Sequence, residues 1–246
     1  MHKSFATKRS VLESASFFAA LNESDKLSLL ENAQLAAVDK SLVIWNHGRQ
    51  VEFIGIVASG FVKMVTPSPT GAEIVTEIMG PGQVFGLLGA VAGSGCPQTA
   101  VAMTKTTFLK LSKQRVKQLA NLNGEISSST VDRAVTQLSR GYNTIARISG
   151  GCVQNRIAST LLLLAQSFAQ EQTTGHLIDA PVSRQDIADM TGTTVESVIR
   201  CLSKWKKLGI LGSHGQRIVI LNSDALRAIL ANSDFDHITM HQTPLN

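Results

Sequence analysis

Residues 184–202 constrain what this chain can fold into more than any other stretch. They read Arg184-Gln185-Asp186-Ile187-Ala188-Asp189-Met190-Thr191-Gly192-Thr193-Thr194-Val195-Glu196-Ser197-Val198-Ile199-Arg200-Cys201-Leu202, an apolar pattern of helical spacing interrupted by one glycine. The pattern predicts a helix, a tight turn and a second helix. Ala188 is small enough for close helix approach, Gly192 makes the turn, and Ile187, Val198 and Cys201 face a shared core. Thr193, followed three residues later by Glu196, fits a capping box that would start the second helix at that point. Ile210-Leu211 and Arg217-Ile218-Val219-Ile220-Leu221, separated by Ser213-His214-Gly215-Gln216, then read as a β-hairpin wing. The expected product is a winged helix-turn-helix.

Upstream the chain has a different character. Before residue 121, short segments rich in Val, Ile and Phe recur between glycines: Leu42–Trp45, Phe53–Ala58, Phe61–Thr66, Ile74–Met79, Val84–Leu88, Ala100–Met103 and Thr107–Leu111. Regular short strands with turn signals between them suggest a sandwich or barrel. Ser59-Gly60, Pro69-Thr70-Gly71 and Gly80-Pro81-Gly82 supply the backbone conformations that strand reversal needs. Helices are expected only at the ends of this region, at Val11–Leu21, Asp25–Ala36 and Lys113–Leu119. After Asn121 the period becomes helical. Val131, Val135, Leu138, Tyr142 and Ile145 alternate spacings of four and three, the stripe of a coiled-coil dimer seam. An amphipathic helix lying on its own β domain would show the same spacing. Gly150-Gly151 breaks the helix as a hinge, and a further helix is expected over Cys152–Gln170. The fold class is therefore α+β: a jelly-roll-like β-roll over 1–120, a long dimerisation helix and hinge over 121–150, and the winged helix-turn-helix over 151–246.

Composition narrows the functional class. Three cysteines, Cys96, Cys152 and Cys201, exclude a disulfide scaffold and a zinc quartet and favour a reducing compartment. The longest apolar run, Leu161–Ala165, is far short of the roughly 20 residues that span a bilayer, and the first residues lack a signal peptide's apolar core. A cytoplasmic protein without a membrane partner is expected. The net charge of +5 permits a polyanionic partner. The chain carries no Gly-rich phosphate loop, no Gly-x-Ser-x-Gly elbow and no His-Glu-x-x-His, so an enzyme is not expected.

The order of parts resembles the Crp/Fnr superfamily of bacterial transcription regulators over about residues 14–230. Local matches are Ser16-Phe17-Phe18 with Leu21, Val57-Ala58-Ser59-Gly60-Phe61-Val62-Lys63, Gly80-Pro81-Gly82-Gln83-Val84-Phe85-Gly86, Arg156-Ile157-Ala158-Ser159-Thr160-Leu161-Leu162 and Thr194-Val195-Glu196-Ser197-Val198-Ile199-Arg200. The resemblance implies a homodimer on a pseudo-palindromic DNA operator, with RNA polymerase as a further partner if the protein activates. In such a dimer the second helix enters the major groove N-terminus first. The side facing the groove carries Thr194, Val195, Glu196, Ile199 and Arg200. Arg200 suits guanine O6 and N7, and Glu196 suits cytosine N4. The family's Glu and, four residues on, Arg, which read a T-G-rich half-site, are both matched. Ile199 stands where the fumarate-nitrate branch has Ser, and an apolar side chain there favours a thymine methyl. Arg184, Ser197, Lys204, Lys206, Lys207 and Arg217 surround the helix as candidate phosphate contacts. From Ser183 to Arg217 six cations face three acids.

The resemblance also places an effector pocket at Phe85, Gly86, Leu87, Leu88, Gln98, Thr99 and Tyr142. Members that bind cyclic AMP hold ribose with a Glu and phosphate with an Arg-Ser pair. Alignment on Gly86 puts Leu87 and Gln98-Thr99 at those positions, so cyclic AMP is not expected in the usual manner. An iron–sulfur cluster lacks its cysteines, and a haem would have only the lone His47, so no cofactor is expected. A different small molecule, thiol oxidation or no effector at all remain as modes of control. Cys96 in the loop Gly93-Ser94-Gly95-Cys96-Pro97 is expected to be exposed and oxidisable, and Cys201 sits beside Arg200 on the recognition helix. The alternative function is a ligand- or redox-responsive signalling module that acts through protein contacts rather than DNA.

Overall fold

The structure, a computed structural model, describes residues 2–68, 71, 73–92, 95–149, 151–172 and 175–231. It divides into two compact units, Met1–Tyr142 and Asn143–Asn246.

The first unit begins with α1 (His2–Ser14), a 3-10 turn at Ser16–Phe18 and α2 (Glu23–Glu31). The strands are β1 (Gln34–Val38), β2 (Val43–Trp45), β3 (Phe53–Ser59), β4 (Val62–Pro67), β5 (Glu73–Met79), β6 (Val84–Phe85), β7 (Thr99–Ala102) and β8 (Thr106–Ser112). α3 (Leu87–Ala92) interrupts the strands, and α4 (Lys113–Leu122) and α5 (Gly124–Ser149) follow them. Two four-stranded sheets form, ordered β1-β8-β3-β6 and β2-β7-β4-β5, with every pairing antiparallel.

The pleat explains how two cores arise from one set of strands, since successive side chains point to opposite faces. Leu109 and Leu111 of β8, with Ile54 and Ile56 of β3, join the cluster that holds Leu12, Phe18, Leu29, Leu30 and Val116 from α1, the turn, α2 and α4. Phe108 and Val57 point the other way, into the core with Trp45, Val62, Met64, Met79, Phe85 and Ala100. The central strands are covered on both sides, and so read as nearly continuous apolar runs.

Several boundaries differ from the sequence reading, and the helix expected over Val11–Leu21 is the end of α1, which stops at Ser14, followed by the separate 3-10 turn at Ser16–Phe18. The helix expected over Asp25–Ala36 stops at Glu31, because Gln34–Val38 pairs residue for residue with Lys110–Thr106 of β8. Ala36 and Ala37 are good helix formers in isolation, but tertiary pairing overrides a weak propensity. The strand expected to run to Leu88 ends at Phe85, and Leu87 and Leu88 lie in α3. Gly93 and Ser94 of the cysteine loop, Pro69 and Thr70 of one turn, and Gly150 of the hinge lie outside the described residues.

Asn123 starts α5: its side-chain oxygen accepts from the N–H groups of Glu125 (3.0 Å) and Ile126 (3.3 Å).

The second unit contains α6 (Val153–Phe168), β9 (Ala169–Gln172), β10 (Gly175–Ile178), α7 (Arg184–Thr191), α8 (Val195–Lys207), β11 (Leu211–His214), β12 (Arg217–Ile220) and α9 (Ser223–Ala231). The wing strands β11 and β12 are not a free hairpin. They continue into β10 and β9 as one four-stranded antiparallel sheet. The helix expected to reach Gln170 gives way at Ala169, where the backbone turns extended and pairs with Ile178.

Candidate nucleic-acid interface and sensor pocket

Helix α7 opens on a complete capping box. The Ser183 hydroxyl accepts from Asp186 N–H (3.0 Å), and the Asp186 carboxylate accepts from Ser183 N–H (2.9 Å) and Ser183 Oγ (2.6 Å). Ile187, Ala188, Met190 and Thr191 are buried. Gly192 ends the helix in the left-handed region, φ 59° and ψ 44°, where a Cβ is strained. The capping box expected from Thr193 and Glu196 does not form. Thr194 is the N-cap instead, its hydroxyl accepting from Ser197 N–H (3.3 Å). Shifting the cap by one residue makes Glu196 the second helical residue instead of the third, with its side chain exposed. Its own backbone N–H, then the Thr194 hydroxyl, hold that carboxyl below the usual range.

Helix α8 is sharply two-sided. Val198, Cys201, Leu202 and Trp205 are buried against the unit's core. Glu196, Ile199, Arg200 and Ser203 are exposed along the opposite stripe, Ile199 at 50%. Val195, Ser197 and Lys204 flank the stripe half-buried, and Thr194 is exposed at its start. Arg184 is half-buried at the start of α7. Among the described residues Arg200 makes no hydrogen bond or ion pair. Arg217 is committed to Asp179, and Lys206 donates to Ser213 Oγ (3.0 Å). Ser203 escaped the sequence reading; its place one turn beyond Ile199 was the available signal.

The seam residues stand out within α5. Val131, Val135, Leu138, Tyr142 and Ile145 are each 56–63% exposed, a continuous apolar stripe. The face bearing Arg133, Gln137 and Arg140 packs on its own β-roll. Arg133 Nη2 and Arg140 Nη1 donate to Glu77 Oε1 at 3.1 and 2.5 Å, and Gln137 Nε2 donates to Gln98 Oε1 at 3.3 Å. The two options for this helix, a seam and a helix lying on its own roll, thus fall on different faces of it.

The pocket of the first unit holds about 330 Å3 of empty space, counted to its open mouth. Phe85, Gly86, Leu87, Leu88 and Gln98 line it as expected. Tyr142 and Thr99 do not: Tyr142 is 63% exposed on the apolar stripe of α5, and the Thr99 hydroxyl accepts from His47 N–H (3.0 Å). Seven residues separate Tyr142 from Val135 on a helix, which returns it to the seam face rather than to the roll. Trp45 stacks on Phe85, with centroids 5.3 Å apart and planes at 15°, and donates Nε1–H to Gln98 O (3.0 Å). Glu77, buried in β5, and Arg133 also line the cavity. Both escaped the sequence reading, because a charge within an apolar strand and a charge on an amphipathic helix carry no local mark of meeting.

Cys96 is not exposed. It is 2% accessible within the roll core, its backbone bonded to Gly48 N–H (2.7 Å) and Arg49 O (2.9 Å), and burial pushes its thiol up. Gly89 permits that position, since a Cβ there would collide with the Cys96 sulfur. Cys201 is also buried, and burial pushes its thiol up to about 12.

Residues 36–123 match the model of the cyclic nucleotide-binding domain, and residues 155–229 match that of the Crp-like helix-turn-helix domain. The chain belongs to the Crp/Fnr family. It is a transcription regulator of that type, with a helix-turn-helix DNA-binding domain. It is 24% identical over 216 residues to a CRP-like cAMP-activated global transcriptional regulator of Mycobacterium tuberculosis, covering 88% of this chain and 96% of that protein. It is 29% identical over 174 residues to the nitrogen fixation regulation protein FixK of Rhizobium meliloti, covering 70% and 76%. The solved structure of FixK2 from Bradyrhizobium japonicum has the same fold, with a TM-score of 0.72 at 23% identity over 80% of this chain and 96% of that one. These Crp/Fnr relatives are transcription regulators, not enzymes. No helix among the described residues is long and apolar enough to cross a membrane.

Proposed function

We propose that this regulator binds a pseudo-palindromic operator as a homodimer, with Glu196 and Arg200 reading base edges and Ile199 meeting a thymine methyl. The observation that carries the reading is the outward stripe of α8, where a carboxylate and an uncommitted guanidinium flank an exposed isoleucine. Carboxylate and guanidinium suit the donor and acceptor pattern of a C·G pair in the major groove. The exposed stripe of α5 supports the dimer, since five half-exposed apolar side chains in register are the seam of a paired helix. Two copies of α8 related by a two-fold axis then ask for half-sites about one helical turn apart.

In this reading the sensor no longer takes cyclic AMP in the family's usual way. Leu87 is an apolar side chain in the lining, and Gln98 is engaged by Thr76 Oγ1 (2.5 Å) and Gln137. Neither supplies the charge a cyclic phosphate or a ribose diol requires in a desolvated site.

Selection of bound duplexes from a random pool, at physiological salt because phosphate contacts are salt-dependent, tests the function. Enrichment of a two-fold symmetric site with T-G-rich half-sites is expected. Failure to enrich any sequence, with or without reductant, would favour the reading as a protein-contact signalling module.

A further inference from the structure

The ion cluster at the edge of the sensor pocket carries one positive charge in excess, because Glu77 is shared by Arg133 in the lining and Arg140 outside it. Glu77 engages both carboxylate oxygens: Oε1 accepts from Arg133 Nη2 and Arg140 Nη1, and Oε2 accepts from the same Arg133 Nη2 at 3.3 Å. Glu77 and Arg133 are the charged residues of the lining, and Arg140, which stands outside it, also binds Glu77, so the cluster of one carboxylate and two guanidinium groups carries one positive charge. Arg133 donates through Nη2 alone, to Glu77 and to Met79 Sδ (3.8 Å). Its Nε–H and Nη1–H make no hydrogen bond among the described residues, although the side chain is only 21% exposed. Such donors in a partly desolvated site attract an acceptor that bears charge.

We propose that this pocket binds a small organic monoanion, a carboxylate on a compact apolar or aromatic body. Arg133 holds the carboxylate, and Trp45, Phe85 and Leu87 pack the body. The proposal rests on the reading of the first unit as a sensor. Charge selects the headgroup: Glu77 already receives three charge-assisted bonds and has little to offer a cation, whereas a second negative charge on the ligand would exceed the site's balance. The lining selects the body, because Met64, Met79 and Leu88 extend the same apolar wall. Size excludes anything bulky, since the roughly 330 Å3 counts open space at the mouth and the enclosed part is only a small share of it. An anion on Arg133 also acts on α5, because Arg133, Gln137 and Arg140 hold one face of the helix whose other face is the seam. By drawing Arg133 from Glu77 the ligand changes how β5 grips that helix, which biases the dimer between two states.

Calorimetric titration of the full chain with benzoate, phenylacetate and hexanoate, against benzamide, hexanamide and cyclic AMP, tests this. The acids are expected to saturate one site per chain, with the amides at least about tenfold weaker, as for loss of one charged hydrogen bond. Arg133→Gln should weaken benzoate by a similar factor. Leu87→Trp, which fills the pocket and leaves the Glu77 cluster in place, should abolish binding in a variant whose melting curve stays cooperative. Amides that bind as well as acids, no binding by any of the three acids at millimolar concentration, or unchanged binding by Leu87→Trp would each overturn the proposal. Duplex selection on the same preparation separates the two readings. A recovered operator without acid binding refutes the monoanion and leaves the DNA-binding function standing; acid binding without an operator supports the pocket and refutes that function.

Discussion

Glu196 and Arg200 stand four residues apart on α8, a spacing that favours an ion pair on an isolated helix. No such pair forms among the described residues, and Glu196 instead turns toward the helix start. Arg200 is thereby left free to present its fork to a base. Arg200→Ala should cost about 1–3 kcal/mol at one base pair and relax specificity there, measured by competition among single-substituted operators. Equal weakening on every sequence would make Arg200 a phosphate contact. The cysteines separate by burial in the same residue-level way. Burial favours the neutral thiol, so the raised value of Cys201 stabilises the fold below the unfolded thiol's value near 9, and that contribution is lost as pH rises through about 12. Iodoacetamide at about pH 8 should therefore modify Cys152, which is partly exposed, and reach Cys96 and Cys201 only after unfolding. Mass spectrometry of the labelled peptides checks the order, and fast labelling of native Cys96 would contradict its burial. The loop glycines around Cys96 suggested exposure in the sequence; only its bonds to Gly48 and Arg49 place it inside.

At the scale of elements, the turn between α7 and α8 depends on one residue. Gly192 adopts φ 59°, a conformation that costs an L-residue about 1–2 kcal/mol. Gly192→Ala should lower the denaturation free energy of the protein by about that amount with an unchanged denaturant slope, as read by urea titration. A change within error would mean that the turn relaxes to another conformation. The helix-turn-helix was legible because its signals are local: apolar spacing, a small residue and a glycine in the right order. The cap was misplaced by one residue because Thr193 and Thr194 are chemically equal candidates, and the path of the turn selects Thr194. β1 and β9 were illegible for a related reason. Gln34–Val38 and Ala169–Gln172 have no alternating pattern of their own and are strands only because β8 and β10 pair with them.

For the whole molecule, the decisive element is α5, one face of which binds the β-roll while the other is an exposed apolar stripe. Leu138→Glu places a charge in the middle of the exposed stripe and leaves the Glu77 cluster untouched. It should yield a folded monomer by sedimentation and abolish operator binding, since each half-site alone forfeits the second recognition helix. A dimer of wild-type affinity would overturn the seam. The sequence by itself determined the order of the parts, the heptad spacing of the apolar stripe on α5 and the helix-turn-helix. Those follow from periodicity and residue type along a continuous stretch, which the chain displays directly. Only the tertiary structure decided that Glu77 meets Arg133 and Arg140 across 56 and 63 residues, that Cys96 is buried, and that Tyr142 stands on the exposed stripe of α5 and not in the pocket. Such contacts depend on how distant strands and helices are brought together, and desolvation, which sets the charge of a pocket and the reactivity of a thiol, exists only after they have packed.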